Sequence, residues 1–156
     1  MAEFDIRWAR QEEWPEIMDM VWNTFLRFDG QDCTMEGKKS FGDFIADPAL
    51  FDSFLAGKYQ MLIALDEGKV VGAASLRNIN HLSLLFVHED YQLMGIGSSL
   101  LAVLCDYLKH EVGMDYLTVD ASPYAVDFYK KMGFNQLREP AMYSGVRVTS
   151  MEKIIP

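Results

Sequence analysis

Only two of the 156 residues are cysteine, Cys33 and Cys105. That is too few for a disulfide framework. The three histidines, His81, His88 and His110, fall at no metal-ligand spacing, so no metal centre is expected. No apolar run approaches the ~18 residues of a membrane span. Positive charge is short: 14 Lys and Arg stand against 23 Asp and Glu, a formal charge of −9. Such a chain is poorly suited to neutralising phosphates, which argues against non-specific nucleic-acid binding. The acidity is compatible with a cationic substrate. Residues 1–10 are polar and mixed in charge, so no secretory leader is expected and a cytoplasmic location is the default. Repeats, low-complexity segments and linkers are missing too. What the chain does hold is apolar: half its residues are hydrophobic and 13% aromatic. That is enough for one core in a single domain over residues 1–156.

The apolar spacing predicts the elements. Residues 4–9 alternate as a first strand. Pro15 suits the opening turn of a helix, where its missing N–H costs little. Trp14, Ile17, Met18, Val21, Phe25 and Phe28 form its buried stripe, and Gly30 is the expected stop. A second helix is predicted over residues 35–46, with Phe41, Phe44 and Ile45 inward, ended by Asp47-Pro48. Residues 49–55 read as a further helical turn or two. Asp29, Asp32, Glu36, Asp43, Asp47 and Asp52 cluster here by sequence and read as a solvated helical face. Strands over 59–65 and 70–76 flank a hairpin connection at Asp66-Glu67-Gly68-Lys69. Asn78 and Asn80 mark the next turn, before a strand at 81–87.

That strand leads into the most informative stretch. Apolar residues 82–87 feed a polar turn, then Gly95 and Gly97, then a helix pattern with Ile96, Leu100, Leu104 and Leu108 four apart. Leu101 and Cys105 lie beside that stripe, which makes Cys105 an expected core thiol. The helix should run to about His110, with Gly113 as its stop. A strand, a glycine turn and a helix N-terminus make an anion site, because first-turn N–H groups lack partners and carry the positive end of the dipole. No lysine follows the glycines, as a nucleoside-triphosphate loop requires. Leu100 occupies the third glycine place of the dinucleotide fingerprint. Both absences count against a plain nucleotide-binding α/β domain.

Residues 116–121 form a strand, and Ser122-Pro123 opens a further helix to Gly133, with Ser122 as a candidate N-cap residue. The remainder, 134–155, reads as extended pieces joined by turns at Glu139-Pro140 and Ser144-Gly145. The order predicts an α/β fold with a mixed central sheet flanked by helices and a right-handed crossover through the central helix.

Two segments carry a resemblance. Gln92, Gly95 and Gly97 fill the pattern Q/R-x-x-G-x-G/A. Ala125, Tyr129, Gly133 and Phe134 match N-x-x-A-x-x-x-Y-x-x-x-G-F, with Ser122 where asparagine is common. Together, in this order and each on a strand-to-helix turn, they resemble the Gcn5-related N-acetyltransferases (GNAT). Met151-Glu152-Lys153 looks like that family's last strand. The likeness is specific over 82–134 and one of layout in the N-terminal third.

The resemblance implies a GNAT-like acyl-CoA N-acyltransferase fold and acetyl-CoA as co-substrate, with no metal. Its pyrophosphate would lie across the loop that Gln92 opens, on main-chain N–H groups near Leu93, Met94, Gly95, Ile96 and Gly97, with Ser98 extending the helix start. The pantetheine arm would pair with Leu85, Phe86 and Val87, in a gap facing the 116–121 strand. Ser122, Ala125, Phe128 and Tyr129 would complete the coenzyme site. Tyr129 is the implied acid for the departing thiolate, and a main-chain N–H near Val87 the donor to the thioester carbonyl. Many relatives carry a glutamate on the strand before the glycine loop; this strand has none. His81, with a suitable ordinary pKa, and Asp120 on the adjacent strand are the candidate bases. The acceptor would be a small-molecule amine or a protein amino group. The aromatics Trp22, Phe25, Phe28, Phe41, Phe44 and Tyr143, with acids at the rim, suit a cationic amine with a hydrophobic body. The missing glutamate leaves a second reading open: a non-catalytic acyl-CoA-binding or regulatory domain of the same fold. A homodimer through exposed sheet edges or C-terminal strands is compatible with either.

Overall fold

A computed structural model describes residues 4–156. The first three residues of the polar opening stretch lie outside it. In chain order the elements are β1 (Asp5–Trp8), α1 (Trp14–Arg27), α2 (Met35–Ala46), α3 (Pro48–Leu55), β2 (Gln60–Asp66), β3 (Lys69–Arg77), β4 (His81–Val87), α4 (Ile96–Tyr107), β5 (Tyr116–Ala121), α5 (Val126–Lys131), β6 (Asn135–Gln136), β7 (Ala141–Tyr143) and β8 (Val146–Ile154). The sheet order is β1-β2-β3-β4-β5-β8-β6, with β7 paired to β8. All pairs are antiparallel except β4 with β5. The predicted mixed sheet and the crossover through the central helix are both present.

Two apolar clusters lie on opposite sides of the sheet. One gathers Leu62, Ala64, Leu76, Leu82 and Leu117 under Leu100, Leu104 and Leu108 of the α4 stripe. The other gathers Met61, Ile63, Ala73, Leu84 and Phe86 under Ile17, Val21 and Phe25 of α1. Gly72 on β3 lets α4 settle closely: a Cβ there would meet Ile96 Cγ2 at 2.8 Å and Leu100 Cδ1 at 3.1 Å.

A bulge in β4 changes which layer each of its side chains joins. Ser75 pairs with Leu84 and Leu76 with Leu82, so Ser83 is the extra residue. Strand side chains alternate faces, and one extra residue inverts the alternation. Leu82 therefore joins the α4-side cluster, while Leu84 and Phe86 join the α1-side cluster. The Tyr59 hydroxyl fixes the bulge, donating to Ser83 Oγ at 2.9 Å and lying 2.7 Å from Ser75 Oγ.

Several local expectations are corrected. Gly30 is not a left-handed stop. Helix α1 ends at Arg27, Phe28 is its C-cap, and Gly30 sits buried inside a 3-10 turn, Asp29–Asp32. What that position needs is space, since a Cβ would meet Phe25 O at 3.1 Å. The central helix leaves α geometry at Tyr107 and widens into a π turn, Leu108–Val112, before Gly113 closes it at φ 85°. The helix after Ser122 is split into a 3-10 turn, Pro123–Ala125, and α5. Ser122 does not cap it with its side chain. Cys105 is only half-buried, packed against the edge of the α4-side cluster.

Candidate active site

The one parallel pair among the described strands is incomplete. Strand β4 pairs with β5 only at His81–Thr118 and Leu82–Val119. Beyond the Ser83 bulge the strands part, and a cavity of about 770 Å³ opens between them. Its walls include Leu85, Phe86 and Val87 of β4, Val119, Asp120 and Ala121 of β5, and Ser122, Ala125, Phe128 and Tyr129 beyond. Phe25, Asp29, Cys33, Phe41 and Phe44 wall it from the α1–α2 side.

The wall of β4 presents unpaired main chain. His88 N–H donates to Val71 O at 2.9 Å, toward β3. Successive amides in a strand point to opposite sides, so the N–H groups of Val87 and Leu85 face the gap.

At the mouth of the gap lies the glycine turn. Leu93 has φ 62° and Gly95 φ 80°. Two left-handed residues so close together turn consecutive amides to one side, a concavity that favours anions. Main-chain N–H groups from Leu93 to Ser98 find no acceptor among the described residues; Ser99, donating to Gly95 O at 3.0 Å, is the first that does. These orphans coincide with the positive end of the α4 dipole. Open space lies where a Cβ on Gly95 would point, whereas a Cβ on Gly97 would meet the Phe128 ring at 3.2 Å. A loop of free amides, with glycine where bulk would close it, fits a phosphate group.

Gln92 lines the cavity and also ties the loop down. The Gln92 side-chain amide donates to Val87 O and, at 3.4 Å, to His88 O. It pins the turn to the end of β4. Met94 is 55% exposed and is not among the residues that line the cavity. Leu93, Gly95, Ile96, Gly97 and Ser98 all line the cavity.

Tyr129 is buried to 5% exposure, edge-on to both Phe128 and Phe134. Its hydroxyl bonds to no protein group among the described residues, although the side chain lines the cavity. Burial, and then the nearby Asp29 charge, push its pKa above the ordinary tyrosine value, so it keeps its proton.

His81 and Asp120 come together, Nε2 to Oδ2 at 3.6 Å, where β4 and β5 are still paired. His81 Nδ1 lies 2.8 Å from Thr118 Oγ1, and Asp120 accepts from Ser150 Oγ at 2.9 Å. Burial and then Arg77 lower the His81 pKa, with Asp120 opposing them. The imidazole is therefore neutral at pH 7. His81 is six strand steps from Val87, roughly 20 Å at ~3.3 Å per residue.

The acidic cluster is where the pattern of the sequence misled most. Asp32, Glu36, Asp43, Asp47 and Asp52 are exposed, but Asp29 is half-buried on the cavity wall. Ser122 Oγ donates to Asp29 Oδ1 at 3.2 Å. Burial, reinforced by Asp32 and opposed by Ser122, raises its pKa to about 6. One signal pointed this way: Asp29 follows the last apolar residue of the α1 stripe, facing inward before the chain turns.

Comparisons with known proteins agree with this architecture. The profile of the acetyltransferase (GNAT) domain matches residues 30–155. A Bacillus subtilis (strain 168) protein provisionally named an acetyltransferase is 28% identical over 108 residues, 66% of this chain and 73% of its own. The crystal structure of a GCN5-related N-acetyltransferase from Rhodopseudomonas palustris superposes with a TM-score of 0.84 and 28% identity, covering 99% of this chain and 97% of that one. PaiA N-acetyltransferase of Thermoplasma acidophilum, solved in complex with coenzyme A, gives 0.82 with 18% identity, covering 97% and 99%.

Proposed function

Because the chain belongs to the acetyltransferase (GNAT) family, we propose that it is an acetyl-CoA-dependent N-acetyltransferase acting on a primary amine by direct transfer. The observation that carries this reading is the run of orphan amides, Leu93 to Ser98, at the mouth of the gap between β4 and β5. The amides and the α4 dipole would hold the pyrophosphate. The inward N–H groups of Leu85 and Val87 would hold the arm along β4, with Ser122, Ala125 and Phe128 on the other side. Bound there, acetyl-CoA supplies an activated acyl thioester.

The protein's own groups then have three tasks. A main-chain N–H at Val87 donates to the thioester carbonyl oxygen as negative charge develops there. The protonated Tyr129 hydroxyl, free of protein partners, donates to the departing sulfur. An acceptor amine, protonated in solution, must lose a proton before its lone pair is available. His81 and Asp120 are the pair on β4 and β5 to which that task would first be assigned.

Thermal unfolding with acetyl-CoA tests the reading, with NADH and ATP as controls. At ~100 times Kd the ligand adds ~2.7 kcal/mol, a Tm rise of a few degrees for a chain of this size. No shift at millimolar acetyl-CoA sinks the proposal. A shift without turnover of any amine is the result that the non-catalytic alternative expects.

A further inference from the structure

Resting on that reading, we propose that Asp29, rather than the His81–Asp120 pair, takes the proton from the acceptor, and that the acceptor is a cationic primary amine with an apolar body.

Asp29 is a half-buried carboxylate on the wall of the cavity that Tyr129 also lines. Ser122 occupies one of its oxygens at 3.2 Å, which leaves the other open. Among the described residues no Lys, Arg or His comes within ion-pair distance of it. The nearest basic residue in sequence, Arg27, is drawn to Glu89 at 3.1 Å. A carboxylate taken out of water without a cation is costly unless something pairs with it. The ammonium of an acceptor is the partner that this position lacks.

The surroundings describe the rest of the acceptor. Tyr124 lines the cavity beside Asp29, backed by Phe28 with ring centroids 5.2 Å apart, and the Phe28 ring in turn carries the Arg27 guanidinium at 5.3 Å. Phe25 and Phe41, stacked at 4.2 Å, line the cavity beyond. Aromatic faces suit an apolar body and attract a cation. The His81–Asp120 pair lines the same cavity, but at the end where β4 and β5 are still paired, and its groups already have partners in one another, Thr118 and Ser150.

The proton count closes. Asp29 removes one proton from the ammonium, freeing the nitrogen lone pair. The C–N bond forms and the C–S bond breaks. Tyr129 gives its proton to sulfur, and its phenolate recovers one from the second N–H of the nitrogen. Asp29 returns its proton to water. The sum is one amide, one thiol and one released proton per turnover.

The groups facing Asp29 set its titration. Asp32 and Cys33 stand on its own turn, Ser122 and Tyr124 come from the segment after β5, and Tyr129 from α5. Burial dominates, Asp32 adds to it, and Ser122 opposes both. The carboxylate is ionised at pH 7 and still basic enough to accept a proton.

The experiment combines three readouts, using 2-phenylethylamine as the cationic probe and 2-phenylethanol as its neutral counterpart. Carboxyl ¹³C NMR titration of the wild type, with Asp29 assigned by difference from Asp29→Asn, is expected to give a midpoint near 6. Calorimetry in the presence of coenzyme A should show the amine but not the alcohol binding. Asp29→Asn should weaken amine binding at least tenfold. It should also lower kcat ~10²-fold or more and abolish the acidic limb of the pH profile, while acetyl-CoA still raises Tm as in wild type. Asp29→Glu should recover part of the rate. His81→Gln and Asp120→Asn should leave that limb in place. A midpoint below about 4.5, an ordinary carboxylate value, overturns the proposal. So does an Asp29→Asn enzyme with wild-type rate and pH profile, or equal binding of amine and alcohol. Should Asp29→Asn not fold, the midpoint is assigned with Asp29→Glu, and it and the amine–alcohol comparison decide the matter on the wild type. Failure of the coenzyme reading shows separately, as a wild type that acetyl-CoA does not stabilise.

Discussion

A tyrosine hydroxyl with no protein partner, on a ring 95% removed from solvent, is an uncommon arrangement. Replacing Tyr129 with Phe keeps the ring and its edge-on contacts with Phe128 and Phe134. The Tm and its rise with acetyl-CoA should hold, while kcat falls ~10²–10⁴-fold; steady-state kinetics beside a melting curve check both. Asp29 makes a different prediction, about stability. Its carboxyl holds a proton up to about pH 6 when folded, against an ordinary 3.8. Between those values the folded state binds more protons than the unfolded one. Its contribution is therefore favourable at low pH, declines as pH rises through that window, and levels off above it. Asp29→Asn should remove this part of the pH dependence, visible as a flatter denaturation midpoint against pH between 4 and 6. These two residues also mark how far the sequence could be read. Tyr129 stood in a pattern of spacing. Asp29 stood among five other acids, and only the turn after α1 separates it from them.

Among elements, α4 was the most legible because its apolar spacing and its glycines agree. Its contact with β3 was hidden, since nothing near Gly72 in sequence says that Ile96 lies against it. Gly72→Val should push Ile96 and Leu100 away, costing about 1–3 kcal/mol of overpacking. It should also blunt the acetyl-CoA shift, because Ile96 opens the helix whose first amides form the loop; denaturant unfolding with and without ligand measures both. The bulge in β4 was equally hidden. The strand reads as a continuous apolar run in which Ser83 is the polar interruption, and the inversion at Ser83 depends on the pairing partner and on Tyr59, 24 residues earlier. The Gln92 pin belongs here too. Its spacing from the glycines was readable, but its use, as a tie between the turn and the end of β4, was not.

For the whole molecule, the order of elements along the chain and a mixed sheet flanked by helices came from local patterns, whereas the order of strands in the sheet and the parting of β4 from β5 did not. The parting arises between strands whose paired residues are 37 apart in the chain, and no local spacing encodes it. Among the described residues no helix is long and apolar enough to cross a membrane.

The sheet separates its two apolar layers cleanly, with α4 and α5 on one side and α1 and α2 on the other. The orphan amides belong to the first layer and Asp29 with its aromatic neighbours to the second. Strands β2, β3 and β4 give side chains to both layers, and beyond the sheet the two meet where Ser122 Oγ donates to Asp29 and Phe28 stacks on Tyr124. On the proposed reading, the acceptor side is the part of this arrangement most open to change. Residues of α1 and α2 away from those contacts could then be redesigned for another amine while the loop beneath α4 is left untouched, so new specificities would be built on this chain without rebuilding its handle.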